Sequence, residues 1–122
     1  MRSLAGTTWK LIKSRTVDSS GHQVPSALGP EPMGVMVFED ARLMIMIGDG
    51  RPNVPPHGMT AYCGSYSFDG HTLVANIDAA SGSGLLGEFI RWVRFNGPRR
   101  MVSRQIAGGL NAVTEMTWDR VD

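Results

Sequence analysis

The sequence predicts an all-β protein: an eight-stranded antiparallel up-and-down barrel with little or no helix. Three observations predict it. Fifteen glycines and seven prolines break the chain at roughly the eight-to-twelve-residue spacing of sandwiches and barrels. The runs between them alternate or are wholly apolar, and hairpin signals join them. No window holds a helical period over about twelve residues, and the stretch 26–32 has room for one turn at most.

The first strand, 7–17, opens on Gly6-Thr7-Thr8-Trp9-Lys10-Leu11 and ends at Asp18-Ser19-Ser20-Gly21. Strands 33–39 and 42–48 flank Asp40-Ala41. In the second of them Leu43, Ile45 and Ile47 oppose Met44 and Met46, so both faces are apolar. Strands 60–68 and 72–79 flank Asp69-Gly70, a two-residue hairpin signal. Strand 86–96 ends at Asn96-Gly97-Pro98; Phe89, Arg91, Val93 and Phe95 share one face, and Ile90, Trp92 and Arg94 the other. Strands 100–107 and 110–119 are separated by Gly108-Gly109. Strands in hairpin succession, with no βαβ spacing, form a meander, and closing eight of them removes both edges. Such an interior can be filled by side chains or can hold one small ligand. The two-sided apolar pattern of 42–48 and 86–96 also fits an outer face packed against a second copy of the chain, a homodimer.

Composition limits the function. At 122 residues the chain makes one domain, 1–122. A net charge of +1 argues against a nucleic-acid footprint. Arg94, Arg99, Arg100 and Arg104 read as solvated flanks of a turn. The longest apolar runs, such as 43–47, are too short to span a bilayer. The first residues show no apolar leader segment. Cys63 stands alone, so no intramolecular disulfide forms, and it is expected to be a buried, inert thiol. Together these favour a cytoplasmic protein. His22, His57 and His71 fall in separate loops or turns, so no metal site is expected. With no phosphate loop, dinucleotide fingerprint or Gly-x-Ser-x-Gly, no cofactor is expected either.

Several segments resemble the bacterial lipocalin-like domain family, calycin-type small β-barrels. They are the opening Gly-Thr-x-Trp-x-Leu, Leu28-Gly29-Pro30-Glu31-Pro32-Met33-Gly34, Tyr62-x-Gly64-x-Tyr66 running into Asp69-Gly70, Arg91-Trp92 ahead of Asn96-Gly97, and the closing Thr117-Trp118-Asp119-Arg120. The match spans nearly the whole chain in order. It implies a barrel with a central cavity for a small apolar or amphipathic molecule, in a group that includes carriers as well as cyclases and isomerases. Two features depart from the family. Gly6 and Trp9 are one residue further apart than its Gly-x-Trp, which predicts a bulge or a shifted start. The segment 48–59 is also shorter than the family's partly helical mouth segment.

Within this reading Trp9 plugs one end, with the Arg120 guanidinium over its indole, and Trp118 lines the wall above. Arg91, mid-strand, is the candidate polar anchor for a carboxylate, enolate or phenolate, since a buried guanidinium needs acceptors. Its alternative is a structural pair with Glu115 or Asp78, or exposure to solvent. Arg104 is a lesser candidate. Tyr62 and Tyr66 share a face, and Gly64 between them leaves a hollow or allows close strand approach. Either hydroxyl could orient a ligand or donate a proton. The ligand-binding set is therefore Tyr62, Tyr66, Phe89, Arg91 and Trp118, with Arg91 and Tyr66 as catalytic candidates. The clustered methionines suit a deformable apolar pocket. The primary expectation is a binding module for a small apolar or aromatic molecule. A cofactor-independent cyclase or isomerase acting in the same cavity is the alternative. A dimeric or partner-binding domain with a self-filled interior is a third.

Overall fold

The computed structural model describes residues 3–25, 28–51, 59–107 and 112–121. Nine strands form one antiparallel sheet: β1 (Thr7–Val17), β2 (Gln23–Val24), β3 (Pro32–Phe38), β4 (Arg42–Asp49), β5 (Thr60–Phe68), β6 (Thr72–Ala80), β7 (Gly87–Phe95), β8 (Arg100–Ala107) and β9 (Ala112–Arg120). From β3 onward each strand pairs with the next, and β1 pairs with both β3 and β9. Eight strands thus close into an up-and-down barrel, with β2 an added two-residue strand on β1 at Thr16 and Val17. The expected strands stand within a residue or two of their predicted bounds. The additions are β2 and a 3-10 turn at Ser83–Leu85. Positions 110 and 111, the Gly108-Gly109 turn and His57 lie outside the described residues. Among those described, no helix is long and apolar enough to cross a membrane.

Hairpin chemistry fixes the turns. Asp18 Oδ1 accepts the N–H groups of Ser20 and His22, both at 2.9 Å, and Gly21 takes the positive φ of 84° that lets the chain return. Asp69 does the same for β5–β6: its Oδ1 accepts from His71 at 2.8 Å and Thr72 at 2.7 Å.

The Gly6–Trp9 spacing produces no bulge, since Thr7, Thr8 and Trp9 pair in regular register with Phe38, Val37 and Met36. Gly6 is a turn residue whose N–H donates to the Phe38 carbonyl at 2.8 Å. The register shift falls between Leu11 and Lys13. Ile12 leaves the ladder there, so side-chain parity flips. Trp9 and Leu11 face inward before the bulge. Ser14 and Thr16 stand opposite Met116 and Thr114 of β9 after it.

The core is densest at one end. Trp9, Phe38, Phe68 and Phe95 gather there, with ring centroids 6.3 Å apart for Trp9–Phe95 and 6.1 Å for Phe68–Phe95. Leu4 covers them and is almost wholly buried. The Trp9 indole donates to Thr7 Oγ1 at 2.8 Å, and that hydroxyl donates to the Leu4 carbonyl at 2.6 Å. Arg120 stands opposite Trp9 in the β1–β9 ladder. The two ends of the barrel are tied by the Val121 N–H, which donates to the Thr8 carbonyl at 3.0 Å, and Arg99 from the β7–β8 turn donates to the Arg120 carbonyl at 2.9 Å.

Surface ion pairs add a pH dependence. Asp49 is held below the usual carboxylate range by hydrogen bonds from Arg51, Asp78 by Arg42, Asp119 by Arg100, and Asp69 by the N–H groups of Thr72 and His71. A carboxyl whose pKa is depressed on folding adds stability above its unfolded value, and that stability is lost as pH falls through the folded one. The melting temperature is therefore expected to be level from neutrality down to about pH 5 and to drop below about pH 4. The drop is modest because the groups are solvated. A melting temperature that rose in acid would contradict this.

Candidate functional site

The barrel axis beyond the aromatic plug carries the candidate site. Strand alternation puts Tyr62 opposite Ile45, Arg91 opposite Leu73, and Val93 opposite Ser103. With Trp118, Met101 and Gln105 they surround a central void of about 20 Å³. That is room for about one water; a site for an organic ligand usually needs about 300 Å³ or more. The interior as folded is therefore nearly filled by its own side chains. Several of these are flexible, since Met36, Met101 and Met116 all line the void.

One side of this interior is polar. Ser103 Oγ accepts from the Trp118 indole at 3.1 Å, and the Thr16 and Thr114 hydroxyls meet at 2.9 Å. The Ser14 hydroxyl, buried on β1, has no hydrogen-bond partner among the described residues. The other side is aromatic and cationic. The Arg91 guanidinium lies 4.0 Å from the centroid of the Phe89 ring. Phe89 meets Tyr62 edge-on at 5.9 Å. Arg91 Nη1 donates to the Ile90 carbonyl at 3.2 Å, and the guanidinium also interacts with the Tyr62 phenol. Burial pulls the Arg91 pKa down, partly offset by Tyr62. It pushes the Tyr62 phenol up, partly offset by the Arg91 charge. At neutral pH the pair is thus a cation and a protonated phenol.

No carboxylate among the described residues forms an ion pair with Arg91. Both acids that the sequence offered to it are engaged elsewhere. Glu115 lies 3.3 Å from Arg15 and 3.8 Å from Arg104, while Asp78 holds Arg42 through two hydrogen bonds of 2.8 and 2.9 Å. The residues outside the described set include one acidic side chain, Asp122.

Other predicted residues take different places. Tyr66 shares the inner face but sits by the plug, its ring 5.1 Å from Phe38 and its hydroxyl donating to the Glu39 carbonyl at 2.6 Å. It is not among the residues around the void, because β5 carries it two inward positions beyond Tyr62, past Gly64. Phe89 is likewise not among the residues around the void; it is the platform under Arg91 and meets Tyr62. Arg104 faces outward and is exposed. Cys63 is half-buried, not buried. It pairs with Met44 on the outer face, where β5 meets β4, and lines a surface groove of about 340 Å³ with Val37, Arg42 and Met44. Ser103, Gln105, Thr16 and Thr114 line or flank the interior without having been singled out in the sequence. For Ser103, Gln105 and Thr114 the alternation along β8 and β9 was the available signal; Thr16 lies past the β1 bulge.

A wider groove of about 470 Å³ lies at the β1 bulge, between Ile12, Lys13 and the β2–β3 connection. That connection contains residues 26 and 27, outside the described set. Among the described residues no cluster of His, Cys, Asp or Glu could hold a metal ion.

The closed eight-stranded antiparallel barrel fits a calycin or lipocalin-like fold. Comparison with protein-family models, with curated proteins and with solved structures finds no match.

Proposed function

We propose that the barrel is a lipocalin-like binding module for a small aromatic or apolar molecule carrying an anionic group, with the anion held by Arg91. The observation that carries this reading is an inward-facing guanidinium whose acidic candidates, Glu115 and Asp78, are taken by other arginines. Withdrawing a cation from water without compensating acceptors costs several kcal/mol. One backbone carbonyl, an aromatic face and a phenol compensate only in part. A carboxylate, enolate or phenolate supplies what is missing. Phe89 and Tyr62 offer its aromatic body edge and face contacts, and Ser103 and Gln105 offer hydrogen bonds from the adjoining strand β8. The same pairing supports an enzymatic variant, a cofactor-independent isomerase or cyclase. In it Tyr62, protonated beside Arg91, replaces Tyr66 as proton donor.

The test compares 8-anilinonaphthalene-1-sulfonate with N-phenyl-1-naphthylamine, the same aromatic body without the anion, on the native chain and on Arg91→Met. The sulfonate is expected to bind and to lose about tenfold or more in affinity in the variant, the scale of one charge-assisted hydrogen bond. The neutral amine should change less than about twofold. Binding of the sulfonate at the exposed Met44 or Trp92 would not depend on Arg91. Equal losses for both probes, or Arg91-independent binding, would overturn the reading in favour of a self-filled barrel that acts through its outer face.

A further inference from the structure

On the reading that the interior takes an amphipathic anion, we infer that the ligand passes into the barrel through a lateral split between β7 and β8. On its β6 side β7 is paired from Gly87 to Trp92. On its β8 side pairing covers only Trp92 to Phe95, against Met101 to Arg104. Yet β8 runs on to Ala107, still paired with β9. The residues 87–91 and 105–107 therefore form two strand edges that face each other unzipped.

Backbone geometry agrees. The Val93 N–H donates away from β8, to the His71 carbonyl at 2.7 Å. By alternation the N–H and C=O of Ile90 point into the split. The Ile90 carbonyl there accepts Arg91 Nη1 in place of a β8 amide. Nothing buried pins this half of β7 from before. The connection 81–86 is exposed throughout, its 3-10 turn buries no residue, and Gly87 adopts a φ of 105°.

The split also has the polarity of a path for an amphipathic anion. Its outer lips are apolar. Ile90 is 41% exposed, Ile106 65%, and Trp92, at the point where the ladder starts, 48%. Extending the observed register sets Ile90 across from Ile106. Directly behind the lips stand Arg91 and Phe89, then Tyr62, Gln105 and the central void. Outward swing of the Gly87–Arg91 edge enlarges that void without breaking a β7–β8 ladder pair. The β1–β3 ladder also stops early, at Lys10 and Val35, but beside Leu11 it is shut from within. A Cβ on Gly34 would lie 3.2 Å from Leu11 Cβ and 2.8 Å from Ile47 Cγ2, so these side chains already fill the gap.

The test staples the split with Ile90→Cys and Ile106→Cys in a Cys63→Ser background. Stopped-flow association of 8-anilinonaphthalene-1-sulfonate is expected to be at least about tenfold slower in the oxidised protein and to return to the native rate on reduction. Should the disulfide not form, Ile90→Asp places a like charge at the lip. It should slow the sulfonate severalfold and leave N-phenyl-1-naphthylamine unchanged. Equal rates in oxidised and reduced protein, or an Ile90→Asp chain that takes up the sulfonate at the native rate, would overturn the split as the path. Loss of Arg91-dependent binding in the unstapled parent would instead overturn the binding reading itself.

Discussion

Trp9→Ala is expected to cost about 3–5 kcal/mol of unfolding free energy, the range for deleting a buried large aromatic. A domain of this kind has only about 5–15 kcal/mol in total, so much of the variant population should be unfolded at moderate temperature. Trp9 is 2% exposed and meets Phe95 across the plug. It stands on β1, the strand that closes the barrel through both β3 and β9. Leu4, Phe38 and Phe95 are held by separate elements and cannot collapse together into the space left behind. The hydrogen-bond relay from the indole through Thr7 to the Leu4 carbonyl gives an independent check. Thr7→Val keeps the volume but strands the indole N–H, and is expected to cost about 1–3 kcal/mol. Urea denaturation followed by fluorescence measures both. A loss below 1 kcal/mol for Trp9→Ala would mean that the plug does not hold the barrel closed.

The strand order was legible in the sequence because it rests on local chemistry. Turn-forming Asp18, Gly21 and Asp69 mark where the chain must reverse. The alternation of Phe89, Arg91, Val93 and Phe95 puts all four on one face of whichever sheet forms. What escaped the sequence depends on register. One extra residue at Ile12 reverses inward and outward positions for the rest of β1, and nothing in Lys10-Leu11-Ile12-Lys13 announces it. Tyr62 and Tyr66 share a face, but only the tilt of β5 decides that one borders the void and the other the plug. That Arg91 has no acidic partner among the described residues was equally invisible. It depends on Glu115 and Asp78 being claimed by Arg15, Arg104 and Arg42, residues far away in the chain. The split has the same origin, since ladder length is set by how two twisted strands diverge and not by the residues within either one.

Gly64→Ala is expected to be as damaging as the loss of Trp9, through the opposite mechanism. Between β5 and β6 the register shifts at Cys63 and Gly64: Cys63 pairs with Ala79 and Gly64 with Ile77, leaving Asp78 as the extra residue. At this bulge the β6 backbone comes down onto Gly64. A Cβ there would overlap the Asn76 carbonyl oxygen and lie 2.7 Å from its carbon and 2.8 Å from Ile77 Cα. All three obstacles are main-chain atoms, so no side-chain rotation relieves the clash and the two strands must separate. Overpacking of a relaxed core typically costs about 1–3 kcal/mol, occasionally more; an obstacle made of backbone places this variant at about 3 kcal/mol or above. The displacement would also move Tyr62, two residues away on the same face, and with it the aromatic wall beside Arg91. Gly64→Ala is therefore expected to weaken sulfonate binding even in whatever fraction remains folded. Ser65→Ala, exposed on the opposite face, should alter neither property. If Gly64→Ala kept native stability and native binding, the close approach of β5 and β6 would not be what sets Tyr62 in place.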